Sequence, residues 1–236
     1  MKIIELPIAF EFNGQKNDIY PSLIRSNDEL TLVDTGYQGF LPIIEKEIEA
    51  NGYEMNDLTN IILTHYDDDH IGSLSDFKEK YPWIRIIASE MEATYISGEE
   101  KSERLVQAEK MLETMPKQHQ AFGEWFIQQL KSLQHVPIDE TVGDGDWILN
   151  NQCQVIATPG HTSGHISLYI PSLDSIITGD AAVKEQHELA IANPEFCLDL
   201  EQAEHSLVKL KNMRAEHYYC YHGGRYTVVE GFFKSI

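Results

Sequence analysis

Leu63-Thr64-His65-Tyr66-Asp67-Asp68-Asp69-His70-Ile71-Gly72 sets two imidazoles and three carboxylates within six consecutive residues. The run continues Asn60-Ile61-Ile62-Leu63-Thr64, which is short, apolar and β-branched and reads as a buried strand. In an extended segment, residues two apart point the same way. His65, Asp67 and Asp69 can therefore converge while Asp68 points away, and a turn at Gly72 lets His70 reach the same pocket from the start of a helix. So much negative charge in one place is costly unless a cation neutralises it. A bare Asp-Asp-Asp run would read as a solvated acidic turn. The flanking histidines at a strand-to-turn junction favour a metal site instead.

Three more clusters follow strands in the same manner. Thr158-Pro-Gly-His161-Thr-Ser-Gly-His165 follows the apolar run Cys153–Ala157, and its Pro-Gly turn presents His161 at the strand end. Thr178-Gly-Asp180 follows Ser175–Thr178, and Tyr221-His222-Gly-Gly224 follows His217–Tyr221. A lone His or Asp at a strand end is usually a cap or turn residue, but four such clusters in one chain argue for a shared purpose. His119, His135, His187, His205 and His217 carry no motif and default to surface or satisfied core positions.

Around these clusters the chain alternates strands and helices. Strands are expected at Met1–Phe12, Ile19–Ser26, Glu29–Val33, Ile84–Ala88, Trp147–Leu149 and Ile166–Ile170. Helices are expected at Phe40–Ala50, where Pro42 sits in the first turn and Gly52 follows the end, and at Leu200–Ala215. Between Glu90 and Gln134 apolar residues recur at helical spacing, from Leu105, Ala108, Met111, Leu112 and Met115 to Phe122, Trp125, Phe126 and Leu130. This is a helical pair broken near Pro116. It covers a sheet and, on a sharper reading, walls a substrate pocket with Met and aromatic side chains.

Composition narrows the function classes. With 236 residues, 18 Lys+Arg against 38 Asp+Glu and a formal net charge of −20, the surface repels phosphate backbones and anionic lipid. A small-molecule substrate is expected, without nucleic acid or membrane partners; a homo-oligomer is compatible with the sequence. Cys153, Cys197 and Cys220 are too few and too odd in number for a disulfide framework. The first residues lack an apolar run of signal length, so a cytoplasmic location is expected.

Val33-Asp34-Thr-Gly36, the Thr-His-x-x-x-Asp-His segment, the Pro-Gly-His turn, Thr-Gly-Asp and the late His222 occur in that order between residues 33 and 224. In this the chain resembles the metallo-β-lactamase superfamily, in its lactonase and glyoxalase II-like branch. The resemblance implies an α/β fold, an αββα sandwich with helices outside two packed mixed sheets. It implies one such domain over residues 1–236, with a helical insertion at about 90–134. It further implies two divalent metal ions, zinc first with iron or manganese as alternatives. His65, Asp67 and His161 would serve one ion, Asp69, His70 and His222 the other, and Asp180 would bridge them. Asp34 and His165 would support these ligands from behind.

One position departs from the family. The usual pattern is His-x-His-x-Asp-His, and the second histidine here is Asp67. A carboxylate is a harder, anionic donor than imidazole. Two zinc ions of altered affinity, a preference for iron or manganese, or a single weakly held ion are all open at this point. The implied reaction is hydrolysis of a small ester, lactone or thioester by a metal-bridging hydroxide, with Asp69 orienting the nucleophile and passing on its proton. The alternative is a catalytically weak metal-binding or sensing protein of the same fold. Among the branches, acyl-homoserine lactonases often carry Tyr three residues after the bridging Asp, where this chain has Val183. Glyoxalase II-type thioesterases bind glutathione through basic residues, which are scarce here.

Overall fold

The computed structural model describes residues 1–12, 14–26 and 29–228; the last residues of the expected domain, 229–236, lie outside it. The first half contains β1 (Lys2–Glu5), β2 (Ile8–Phe12), β3 (Gln15–Ile19), β4 (Ser22–Ser26), β5 (Glu29–Val33), α1 (Leu41–Ala50), β6 (Leu58–Ile62), α2 (Asp68–Ile71), α3 (Leu74–Lys80) and β7 (Arg85–Ser89). Then come α4 (Glu90–Ile96), α5 (Glu103–Thr114), α6 (Lys117–Ser132), β8 (Glu140–Val142), β9 (Trp147–Ile148), β10 (Cys153–Ala157), β11 (Ile166–Ile170) and β12 (Ser175–Gly179). The β13 (Val183–Glu185) and β14 (Glu188–Ala190) hairpin, α7 (Leu200–Asn212), β15 (His217–Cys220) and β16 (Gly224–Thr227) complete it.

Two six-stranded mixed sheets face each other, ordered β1-β4-β5-β6-β7-β8 and β16-β15-β12-β11-β10-β9. Side chains of Ile24, Val33, Ile62 and Ile87 from the first sheet meet Val155, Leu168, Ile170 and Ile177 from the second. The opposite face of the first sheet buries Leu32, Ile61 and Ile86 against Ile44 and Ile48 of α1 and Leu74 and Phe77 of α3. Ile176 and Tyr218 of the second sheet pack on Leu210 of α7. Strands covered on both faces read as continuous apolar runs instead of alternating ones. This is the αββα sandwich expected from the sequence.

Several strands differ in extent from the sequence expectation. Met1–Phe12 is two strands, because Pro7 offers no N–H and Leu6 turns away to donate to the Pro21 carbonyl at 2.9 Å. Ile19–Ser26 likewise divides at Tyr20-Pro21, so that β2 and β3 form a separate two-stranded ribbon. The acidic stretch Asp139–Asp146 contributes β8, which pairs in parallel with β7. The helical segment holds three helices, and Pro116 is the N-cap of α6. Among the described residues no helix is long and apolar enough to cross a membrane.

The short helix α2 brings the motif loop back onto the sheet, and Gly72 permits it. A Cβ at Gly72 would lie 2.4 Å from the Gln38 amide nitrogen and 2.5 Å from the Asp68 carbonyl oxygen, both backbone atoms that cannot rotate aside. Gly72→Ala should therefore destabilise the chelator-treated protein by about 1–3 kcal/mol or more, lowering Tm by several degrees. Gly143→Ala, whose Cβ would meet nothing nearer than 3.7 Å, should leave Tm unchanged. Thermal unfolding of both variants checks the difference.

Candidate metal centre

Parallel β6, the β10 turn, β12 and β15 all deliver polar side chains to one edge of the two sheets, the position at which α/β folds place ligands. His65, His161 and Asp180 offer donor atoms that all lie within 4.8 Å of one another, and so do Asp69, His70 and His222. Asp180 faces both groups. Its Oδ2 is 3.5 Å from His161 Nε2, and its Oδ1 is 3.4 Å from His70 Nε2 and 3.5 Å from His222 Nε2. Asp69 Oδ2 lies 3.2 Å from His222 Nε2 and 3.6 Å from His70 Nε2. Two donors on one tetrahedral zinc are ~3.4 Å apart at ordinary bond lengths.

The backs of the imidazoles are held by hydrogen bonds that fix which nitrogen faces the cavity. Asp34, at φ +65°, accepts from His70 Nδ1 at 2.9 Å and from the Thr64 amide and hydroxyl, each at 2.8 Å. Thr64 gives its one hydroxyl proton to Asp34, so His65 Nδ1, 3.0 Å from that hydroxyl oxygen, is the donor to it. Both rings then aim Nε2 inward. His65 Nε2, His70 Nε2 and Asp180 Oδ1 are buried without hydrogen-bond partners. Orphaned buried donors and acceptors are expensive unless something binds them, and the N/O donor set suits a divalent metal. His165 sits behind Asp180, its Nε2 accepting from the Asp180 amide at 3.0 Å and its Nδ1 lying 2.8 Å from the Thr158 hydroxyl.

Asp67 is close by but differently bound. Its Oδ2 is 3.0 Å from His161 Nε2 and 3.5 Å from His65 Nε2, while Arg104 of α5 grips both of its oxygens. Asp68 does not point away. Residues 68–71 form a helical turn, so strand alternation no longer applies, and Asp68 lines the cavity with Asp67 and Asp69. Burial, with Asp69 and Asp67 beside it, pushes the Asp68 carboxyl up to about 7.

The cavity over the donors measures about 660 Å³, within the usual range for small-molecule sites. Aromatic side chains dominate its wall: Phe10 and Phe12 from the ribbon, Tyr37 and Phe40, Phe122, Trp125 and Phe126 from α6, and Phe196. The aromatic part of the pocket-wall expectation matches this lining, whereas Met111 and Met115 do not line the cavity. Sequence reasoning passed over Arg104 and Glu92. Glu92 is fully buried and accepts from the Tyr66 amide, the Thr162 hydroxyl and the Gly164 amide at 2.8–2.9 Å, tying α4 to two motif loops. The signal for Arg104 was its position: it precedes Ala108 by four residues and shares the buried face of α5. His119, His135, His187 and His205 are exposed.

A profile of the metallo-beta-lactamase superfamily matches residues 17–222. The chain belongs to that superfamily. Over 204 residues, 81% of this chain and 74% of the relative, it is 29% identical to the probable metallo-hydrolase YflN of Bacillus subtilis (strain 168). A hydroxyacylglutathione hydrolase of Rhizobium meliloti (strain 1021) is 27% identical over 141 residues, 59% of this chain but 38% of that protein. A metallo-beta-lactamase family protein of Thermus thermophilus superposes with a TM-score of 0.70 at 21% identity, covering 95% of this chain and 74% of that one. The family binds divalent metals, and the two donor groups are the candidate ligands for them here.

Without metal, the carboxylates of the cavity are balanced by protons on the imidazoles. Burial opposes protonation of His161 and His222, but Asp67 on the first and Asp180 on the second push each up to about 10. Burial likewise opposes His70, whose neighbours Asp69 and Asp34 carry it well above its usual value. At pH 7 the metal-free protein thus holds protons on these rings, and a metal can bind only by displacing them. Metal uptake at pH 7 should release protons, at most three from these rings, and affinity should rise as pH approaches 10. Calorimetric titration in buffers of different ionisation enthalpy measures the release; none at pH 7 would contradict the assignment.

Proposed function

We propose that this chain is a metal-dependent hydrolase of small, uncharged, largely apolar acyl compounds: esters, lactones or thioesters. It would hold two divalent ions, with His65, Asp67 and His161 on one, Asp69, His70 and His222 on the other, and Asp180 shared. Zinc is the first assignment, because four of the seven donors are imidazoles. When bound, such ions polarise an acyl carbonyl and supply a nucleophilic water near neutral pH.

The observation that carries the substrate class is the lining of the cavity. Its apolar wall is aromatic and its charged wall is acidic, with Glu11, Asp68 and Glu185 joining the donor carboxylates. Among the described residues, Arg104 is the one Lys or Arg side chain lining the cavity, and Asp67 already engages it. An anionic carrier such as glutathione or a phosphorylated thiol would meet no counter-charge there and would be repelled by the acidic rim.

The chain's own groups fit acyl transfer to water. Burial raises the Asp69 carboxyl, but His70 and His222 outweigh it and keep it below its usual value, so Asp69 is ionised and can accept a proton from an attacking water. Burial and the Asp69 and Asp68 charges raise the Tyr37 hydroxyl, which stays protonated and offers the cavity an O–H donor for a substrate oxygen. It supplies the phenol that Val183 does not. The aromatic wall excludes water around the acyl group.

Elemental analysis should return about two ions per chain after zinc or manganese reconstitution, and chelation should abolish turnover. In a panel of acyl substrates, kcat/KM for neutral esters or lactones should exceed that for glutathione or coenzyme A thioesters of the same acyl group by at least ~10-fold, the scale of one unfavourable charge contact. Preference for the anionic thioesters would overturn the substrate class. Full metal loading without turnover on any member would overturn the hydrolase itself.

A further inference from the structure

Arg104 occupies an unusual position for a cation. It lies in the first turn of α5, where the helix dipole disfavours positive charge, and it is 2% exposed. Every direction of its guanidinium is taken by the protein. Nε donates to Asp67 Oδ1 at 3.0 Å and Nη2 to Asp67 Oδ2 at 2.7 Å, a two-pronged fork, and the other Nη2 proton faces the His161 carbonyl at 3.4 Å. Nη1 donates to Gln107 Oε1 at 2.6 Å and to the Phe196 carbonyl, and the guanidinium carbon stands 5.7 Å over the Phe196 ring. Nothing is left over for a substrate.

Asp67 is not used up by this grip. A carboxylate has about four lone-pair directions, and the fork takes one from each oxygen. Oδ2 keeps another, toward His161 Nε2 at 3.0 Å and His65 Nε2 at 3.5 Å. Those rings are the ones that converge with Asp180. Asp67 also adds a third carboxylate to a centre that already holds Asp69 and Asp180, and Arg104 removes that excess. The pair together contributes no net charge, as one neutral imidazole would.

We propose that Asp67 and Arg104 work as a unit, Asp67 as a further donor to the His65, His161 and Asp180 group and Arg104 as the residue that positions it and cancels its charge. The unit also fastens α5 to the metal centre, so that the helical segment over the cavity forms part of the site's support. This rests on the two-ion assignment made above, and it concerns Arg104 through Asp67, not through the substrate.

The test is metal affinity and stoichiometry, by competition with a chromophoric chelator and by elemental analysis, using zinc and manganese alone as probes. Arg104→Met should weaken one ion by 10–100-fold, the usual loss when a partner behind a ligand is removed, and leave the other within a few-fold. Arg104→Lys should recover only part, since an ammonium lacks the fork. Asp67→His/Arg104→Met, which replaces the pair by a neutral donor, should bind close to wild type and more tightly than Asp67→His, which leaves an unpaired cation beside the ions. A merely structural Arg104 would leave the double variant as impaired as Arg104→Met. If Arg104→Met folds poorly by circular dichroism, the comparison of Asp67→His with the double variant decides by itself. Unchanged or tighter binding in Arg104→Met, or a double variant no better than Asp67→His, overturns the proposal. Wild-type protein holding a single ion would defeat the two-ion assignment instead. The pair is then judged on that ion: weakened by Arg104→Met and restored in the double variant, it stands; indifferent to both, it falls.

Discussion

Asp67, Asp69 and Asp180 are brought together at the base of one cavity, and their mutual repulsion is the constraint around which the rest is arranged. Burial alone would drive all three carboxyls toward their neutral forms. Each is instead held below its usual value by cations at hand: Arg104 for Asp67, His70 for Asp69, His222 and His70 for Asp180. The protein spends much of its architecture on keeping those cations in place. Asp34 orients His70 from a left-handed backbone position, Thr64 relays between Asp34 and His65, and α5 carries Arg104 in from outside the sandwich.

The sandwich makes this arrangement possible because its two sheets end at the same edge. β6 and its loop supply four of the seven proposed donors, while the second sheet supplies Asp180 after β12, His222 after β15 and His161 from the turn after β10. The loops themselves are clamped. Gly160 approaches α7 so closely that a Cβ there would lie 2.1 Å from the Ala203 amide nitrogen. Tyr221 donates its hydroxyl to the Asp69 carbonyl at 2.5 Å, joining the last strand's loop to the first motif. A site built from several loops keeps sub-ångström geometry only when each is braced in this way.

Local chemistry was legible in the sequence and remote chemistry was not. The histidines and aspartates gathered at strand ends announce themselves because the donors of each loop are neighbours in the chain. Arg104 is 37 residues from Asp67 and meets it only through the packing of α5. The convergence of Asp69 with the other donors was expected from strand alternation, yet a helical turn achieves it, which is why Asp68 faces the cavity too. The β2–β3 ribbon escaped notice as a unit because Gln15–Asp18 is polar and exposed, with no apolar alternation to mark it.

That ribbon has a consequence for how the molecule can change. Phe12 at its tip meets Trp125 of α6 with ring centroids 5.4 Å apart, so the ribbon and α6 meet at the cavity wall through rings that are none of the proposed donors. Both rings are substantially exposed, at 41% and 40%, and contribute little to the core. The entrance is thereby separable from the reacting centre. Directed evolution can retune what enters, through residues 10–12 and 122–126, while the electrostatics that keep three carboxylates ionised stay untouched.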